Sequence, residues 1–311
     1  MNLVKAGVLR NIRRENGAVA SSSGCGLRGR VAGLIALVRP LFFILTPINA
    51  AGAAVLALGG YPSLGECLWG FFAVAFASCA VNVFNDYHDR ERDRLIWPSR
   101  PIPSGRVRPG EALLVAALAL TASLLIAWLV FNPATFYILL LAAVFGFAYS
   151  VWLRDRVGYL ALPPIVGLIY LGGWVAFSPE TLFAGWLPWY LYLLGVVWQA
   201  AHIMIYYPMH VVPGAKAPPA FFFTPPARAS VAIGIALTAL TLLLAALLLL
   251  LAPLGTLYLG LVIAFGAYAL FSGLRLYRRE SDRRRGIHAF VAVSVFRLAI
   301  SAAILLSFIM A

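Results

Sequence analysis

The chain has 311 residues, 62% of them apolar (AVILMFWYC) and only 11% charged. Soluble domains carry about 45–50% apolar and about 25% charged residues, so a water-soluble globular protein is excluded. The net charge of +13 first suggests a nucleic-acid partner, but the basic residues fall in the gaps between apolar segments, where they read as topogenic and lipid-facing charge. No nucleic-acid partner is expected.

Residues 1–32 form a basic tail containing Ser and Gly but no apolar core, which excludes a secretory signal. Residues 33–311 then hold apolar segments at 33–59, 65–85, 111–131, 134–153, 158–178, 183–206, 229–251, 254–275 and 288–310. Each is long enough for a membrane crossing, which needs about 20 residues. The expected fold is therefore all-α, a polytopic membrane protein with nine transmembrane helices. Pro40 and Pro47 lie in the first segment and predict a kinked helix there. Cys25, Cys67 and Cys79 have no CxxC spacing and give neither a disulfide framework nor a zinc signature.

Basic residues set the expected orientation. They cluster before the first segment, between the second and third (Arg90 to Arg108), after the fourth (Arg154, Arg156), after the sixth (Lys216, Arg228) and from Arg275 to Arg285, while the alternate loops have none. The N-terminus and these loops are expected in the cytoplasm and the C-terminus outside, as in a prokaryotic plasma membrane. Such alternation across the chain requires an odd number of crossings. Arg297 falls inside the ninth segment, where a guanidinium is costly and demands a partner or a wet cavity.

The most informative stretch is Asn82-Val-Phe-Asn85-Asp86-Tyr-His-Asp89-Arg-Glu-Arg-Asp93. On a helix, Asn82, Asp86, Asp89 and Asp93 stand at i, i+4, i+7 and i+11, which lines an amide and three carboxylates along one face. Three like charges in a row repel unless a cation lies between them. Carboxylate oxygens, with waters and substrate phosphates, are the ligand set of Mg²⁺. Asp86, Asp89 and Asp93 are accordingly the candidate metal ligands, with Asn82 and Asn85 beside them. The alternative is a helix end solvated in the cytoplasm and balanced by Arg90, Arg92 and Arg94. The amides within an otherwise apolar segment favour a functional site. Downstream, Arg100-Pro-Ile-Pro-Ser104-Gly offers a guanidinium and a hydroxyl on a stiff loop, suited to phosphate oxygens.

Asn85-Asp86-x-x-Asp89-x-x-x-Asp93 followed by Arg100-Pro101-Ile102-Pro103-Ser104-Gly105 resembles the first aspartate-rich motif of the UbiA superfamily of intramembrane prenyltransferases. Arg39-Pro40 and Asn49 resemble that superfamily's opening helix. Tyr149-Ser-Val-Trp-Leu-Arg154 resembles its motif after the fourth span, with arginine where lysine is common. The resemblance implies a nine-helix bundle around a central cavity. It also implies Mg²⁺-dependent transfer of a polyprenyl group from an isoprenoid diphosphate to an aromatic or lipid acceptor, as in quinone, haem or ether-lipid biosynthesis. The partners so implied are the polyprenyl diphosphate, a membrane-soluble acceptor and the bilayer; nothing calls for an obligate protein partner.

A second aspartate-rich motif, usual after the sixth span in that superfamily, has no counterpart, because no Asp or Glu lies between Glu180 and Glu280. Lys216 is expected to neutralise phosphate in its place, and His202 to donate to phosphate or act as a base on the acceptor. Trp198-Gln-x-x-His202 and Pro163-Pro-Ile-Val-Gly167 resemble the haem-farnesylating branch. The missing motif also motivates a second reading, a degenerate, non-catalytic relative that binds isoprenoid lipid or a partner.

Overall fold

A computed structural model describes residues 26–209 and 226–309 of the chain; Lys216 lies outside them. The described residues are helical with no strand. In chain order the main helices are α1 (Leu27–Val38), α2 (Pro40–Leu58), α3 (Leu64–His88), the short α4 (Arg90–Ile96), α5 (Pro109–Ile126), α6 (Pro133–Ala148), the single turn α7 (Arg154–Val157), α8 (Leu162–Val175), α9 (Leu187–Tyr206), α10 (Ala227–Leu247), α11 (Thr256–Tyr277) and α12 (Arg283–Ile309). Helices α5 and α6 each run on into a π-helical turn, Ala127–Phe131 and Tyr149–Leu153.

Among the described residues, seven helical runs are long and apolar enough to cross a membrane. One of them, Pro133–Val175, contains both α6 and α8, which pack against each other across the turn at Gly158. The 20-residue α9 is not one of the seven; Gln199 and His202 lower its hydropathy. The outer surface carries large apolar side chains such as Leu118, Leu129, Phe145 and Leu250, exposed in a way that only lipid makes favourable. The chain is an integral membrane protein.

The expected apolar segments and the helices agree to within about five residues, with one difference in kind. The first segment is not one kinked helix but two helices separated at Arg39. Arg39 has φ 53° and ψ 70°, the left-handed region, and is alone among described non-glycine residues in a positive φ. A proline that follows disfavours helical dihedrals in the residue before it, so Pro40 forces the break one residue earlier than itself. Pro47 is accommodated inside α2.

Neighbours in sequence pack as neighbours in space, and α12 returns to pack on α2, closing the bundle. Close approach relies on small residues, as expected where lipid supplies no hydrophobic drive between helices. Ala73, Ala80, Ala112 and Ala116 are buried at or near the contact of α3 with α5. The tightest crossing is α2 against α8: a Cβ on Gly173 would stand 2.1 Å from the Ala50 carbonyl oxygen. Asn49, next to Ala50 on α2, bonds to α12 instead: its Oδ1 accepts from Ser301 and its Nδ2 donates to Leu45 O.

Because the obstacle at Gly173 is backbone, Gly173→Ala is expected to lower stability by about 1–3 kcal/mol or more. Gly260→Ala, which meets nothing within 4 Å, serves as the neutral control. Thermal melts of the two variants in the same detergent check this, and equal midpoints would contradict the close crossing.

Candidate active site

Helix α3 begins with a capping box in which Ser63 and Glu66 satisfy each other's backbone N–H groups. From there 25 residues, about 37 Å at 1.5 Å per residue, carry it to the opposite end of the bundle. Asp89 links α3 to α4 in near-helical geometry, with Asp89 N donating to Asn85 O at 2.9 Å and Asp93 N to Asp89 O at 2.8 Å. The helical register thus survives the junction, and Asp86, Asp89 and Asp93 share one face as the spacing predicts. All three are buried.

Each of these carboxylates faces a guanidinium. Arg39, turned inward by the break between α1 and α2, donates to Asp86 Oδ1 and to Asn82 Oδ1. A single nitrogen of Arg100 lies 2.6 Å from Asp93 Oδ2 and 3.4 Å from Asp86 Oδ1. Arg154 forms a two-pronged pair with Asp89, at 2.6 and 2.5 Å. Three negative charges are therefore matched by three positive ones, drawn from the start of α2, from the loop after α4 and from the end of the Tyr149–Leu153 turn. Burying charges is tolerable only with such pairing.

The three pairs are not equivalent. The side chains of Arg39 and Arg100 keep 27% and 34% exposure, whereas that of Arg154 keeps 12%. Arg39 and Arg100 present N–H groups to open space beside the acids; Arg154 locks Asp89 with both oxygens taken. Asp86 Oδ2 and Asp93 Oδ1 accept no hydrogen bond among the described residues. Burial pushes the Asp93 carboxyl above the usual carboxylate range, and Arg100 opposes that shift.

Other expected residues are distributed differently. Asn82 joins the cluster through Arg39, whereas the Asn85 amide donates to Ser150 Oγ at 3.1 Å and ties α3 to the turn that precedes Arg154. Tyr149 is buried within electrostatic reach of Arg154 and Asp89. Ser104 does not face the acids: its hydroxyl donates to Pro101 O and accepts from Arg106 Nε, which stiffens the loop that positions Arg100. Asn49 lies ten residues along α2 from Arg39, about 15 Å deeper, and its polar atoms are engaged by α12 and its own helix. His202 is stacked between Trp198 and Phe290, with Nε2 2.9 Å from Ser294 Oγ, below the acidic mouth. Arg39 as the partner of Asp86 is absent from a motif-based reading; a charge directly before a proline inside an apolar run was the available signal.

No group of three His, Cys, Asp or Glu side chains among the described residues converges on one point. The donor chemistry nevertheless suits magnesium. Two hard oxygens, on Asp86 and Asp93, remain without a partner and flank one guanidinium, and Mg²⁺ typically takes only one or two carboxylates, filling the rest with water and phosphate oxygens.

Residues 44–300 match the UbiA prenyltransferase family. The chain is 28% identical to the digeranylgeranylglyceryl phosphate synthase of Thermococcus kodakarensis, over 85% of this chain and 96% of that one. It is 32% identical to the protoheme IX farnesyltransferase of Acidiphilium cryptum, over 61% of this chain and 65% of the relative. Several other curated relatives are likewise matched over less than two thirds of their length. A structure of a UbiA homologue from Archaeoglobus fulgidus bound to DMAPP and Mg²⁺ superposes with a TM-score of 0.59 at 19% identity, covering 86% of this chain and 97% of that one, which shows a shared fold.

Replacing Arg154 by Met is expected to strand the Asp89 charge and cost about 3–5 kcal/mol. Adding Asp89→Asn in the same chain is expected to recover most of that loss. Chemical denaturation in detergent measures both, and a single-variant loss below about 1 kcal/mol would place the pair with exposed ones.

Proposed function

This chain belongs to the UbiA prenyltransferase family, and on that premise we propose that it transfers a polyprenyl group from an isoprenoid diphosphate to an acceptor within the membrane. The observation that carries the reading is the pairing of three buried aspartates with three arginines at one end of the bundle, two of the arginines open to adjacent space. A site of that kind receives a phosphate-bearing headgroup: an incoming diphosphate takes hydrogen bonds from Arg39 and Arg100, and the carboxylates thus released accept a cation.

Asp86 and Asp93 would hold magnesium there, with Asp89 fixed by Arg154 as the support that keeps the acidic face in place. When bound, the metal supplies positive charge at the phosphate oxygens as the leaving group forms. The C1–O bond of the donor breaks with its electron pair remaining on the diphosphate. Arg39 and Arg100 donate N–H groups to that developing charge from a partly dry site, where such bonds count for more than in water. The allylic cation is captured by an electron-rich carbon or a hydroxyl oxygen of the acceptor, which then loses a proton. Lys216, in the segment after α9, is proposed to neutralise phosphate where the superfamily's second acidic motif is missing.

The donor's tail needs an apolar route. A cavity of about 290 Å³ between α2, α3, α6 and α8 is lined by Pro47, Ile48, Phe71, Leu139, Gly173 and Phe177 among others. Its lining residue on α2 nearest to Arg39 is Pro47, eight residues or about 12 Å along the helix, and the lining reaches Tyr61 and Glu66 at the far end. That position suits a chain whose diphosphate is held at Arg39.

The two named relatives differ in acceptor, a haem and a glyceryl phosphate lipid, and both acceptor classes carry an oxyanion, carboxylate or phosphate. We take this breadth as the acceptor proposal. The division into a tail at 1–32 and a membrane domain at 33–311 is part of the same reading. So are nine crossings, counting α6 and α8 separately and including α9, with the N-terminus and acidic mouth cytoplasmic and the C-terminus outside. The non-catalytic alternative is disfavoured by the two uncommitted carboxylate oxygens, which a purely structural ion-pair cluster has no need to leave open.

Purified protein with Mg²⁺ and radiolabelled prenyl diphosphates of several lengths is expected to release pyrophosphate in the presence of haem or a geranylgeranylglyceryl phosphate acceptor. Asp86→Ala is expected to reduce that release at least a hundredfold, with its melting profile recorded alongside because Arg39 loses its carboxylate partner. Full turnover by the variant would remove Asp86 from the chemistry. Absence of release by the wild type with every donor would favour the non-catalytic alternative.

A further inference from the structure

Below the acidic mouth, a column of aromatic side chains leads to a charge that nothing in the described bundle balances. Tyr206, within electrostatic reach of Arg39 and Arg100, lies with its ring 4.9 Å from that of Phe290. Phe290 stands 4.3 Å from His202, and His202 stacks on Trp198 at 4.8 Å. At the foot of the column the Arg297 guanidinium lies 4.5 Å from the centre of the Trp198 ring and 5.7 Å from that of Tyr170. Its Nε and Nη2 are buried and meet no acceptor among the described residues.

An arginine in the interior of a membrane protein is costly unless paired, and the two cation–π contacts still leave Nε and Nη2 without an acceptor among the described residues. Among the described residues the acids are engaged or placed elsewhere: Asp155 lies beside Arg154, and Glu180 and Glu280 lie in the turns after α8 and α11. Asp86, Asp89 and Asp93 are held by Arg39, Arg100 and Arg154; Glu66 caps α3; Glu91, Glu111 and Asp282 pair with Arg94, Arg30 and Arg285. None of the ion pairs among described residues includes Arg297. The groups around it are fixed rather than free to turn toward it. The Trp198 indole N–H donates to Val293 O at 2.8 Å. Ser294 gives its one hydroxyl proton to Phe290 O, so His202 Nε2 must be the donor in its bond to Ser294 Oγ. Tyr206, Phe290, His202, Ser294 and Arg297 all keep partial exposure, so the column borders unfilled space.

The donor's diphosphate does not reach this charge while it remains at the aspartates. Trp198 is eight residues before Tyr206 on α9, which puts Arg297 about 12 Å deeper than the mouth. The tail cavity is separate, between α2, α3, α6 and α8, and Tyr170, Trp198 and Arg297 are not part of its lining. We propose that Arg297 is the receptor for an oxyanion, carboxylate or phosphate, on the prenyl acceptor, and that the aromatic column above it holds the acceptor's flat or apolar body with its reacting group directed up toward the donor. This inference rests on the prenyltransferase reading. It adds to it a residue that selects charged acceptors over neutral ones of the same shape.

The test uses the full-length protein in phosphatidylcholine nanodiscs and two matched pairs of probes: protohaem IX with its dimethyl ester, and geranylgeranylglyceryl phosphate with geranylgeranylglycerol. Wild-type protein is expected to bind the anion of at least one pair tenfold or more tightly than its neutral counterpart; the pair that shows this identifies carboxylate or phosphate as the source. Arg297→Met is expected to abolish the preference, leaving the neutral probe's affinity within threefold, and Arg297→Lys to restore part of it. A wild type that does not discriminate within either pair, or that binds neither anion, overturns the proposal, as does an Arg297→Met protein that keeps the preference. If Arg297→Met does not fold, wild-type discrimination and its reduction in Arg297→Lys decide the matter. Pyrophosphate release from the donor, measured on the same wild-type preparation, reports on prenyl transfer independently of either binding result.

Discussion

Charge neutrality at the end of α3 is the constraint on which the rest of the architecture depends. Three carboxylates cannot be buried on one helix face without three cations, and the cost of leaving any one unpaired is several kcal/mol. The cations come from three parts of the chain: the break before α2, the loop after α4 and the turn after α6. That arrangement ties the first, second and fourth apolar segments together at one level. It also makes the cluster responsive, because a phosphate competes for the same guanidinium N–H groups that hold the carboxylates. The unequal exposure of the arginines divides the labour, with Arg154 as a fixed support and Arg39 and Arg100 as the groups a ligand can reach.

Away from the mouth, the interior separates into two regions of different character. On the α2, α3, α6 and α8 side the lining is apolar and shaped by glycine, with Gly173 allowing α8 to meet the backbone of α2. On the α9 and α12 side it is aromatic and ends in a guanidinium. An isoprenoid tail and a charged, ring-bearing or phosphate-bearing acceptor need opposite environments, and in the proposed reading the two regions serve them separately. Asn49 and Ser301 fasten α2 to α12 beside this division.

The sequence made the acidic face legible because the helical period survives the α3–α4 junction, so i, i+4 and i+7 spacing translated directly into a shared face. The apolar segments were equally legible, since lipid demands continuous hydrophobic length. Partners were not. Arg39 and Arg154 stand 47 and 65 residues from the acids they neutralise, and no local periodicity reports a contact at that range. The break at Arg39 escaped because a proline in a membrane helix reads as a kink, whereas here the left-handed residue before it absorbs the whole change of direction. Ser104 read as a phosphate-facing hydroxyl and Asn49 as part of a superfamily-like opening helix, yet in the fold the polar atoms of both bond to other parts of the chain. Arg297 was conspicuous by depth alone; that its surroundings are aromatic and lack any acid became apparent only in three dimensions.

The central claim is that Asp86 and Asp93 hold a divalent cation against a diphosphate while Arg39 and Arg100 turn to the phosphate oxygens. Crystals grown with manganese(II) and inorganic pyrophosphate, with diffraction recorded at the manganese absorption edge, address it directly. The account predicts an anomalous peak at bonding distance, about 2.1 Å, from oxygens of both Asp86 and Asp93, with pyrophosphate between the metal and the two arginines and the Arg154–Asp89 pair intact. Bound pyrophosphate with no metal peak at these aspartates, or a peak elsewhere with Arg39 and Arg100 still fixed on the carboxylates, would contradict it.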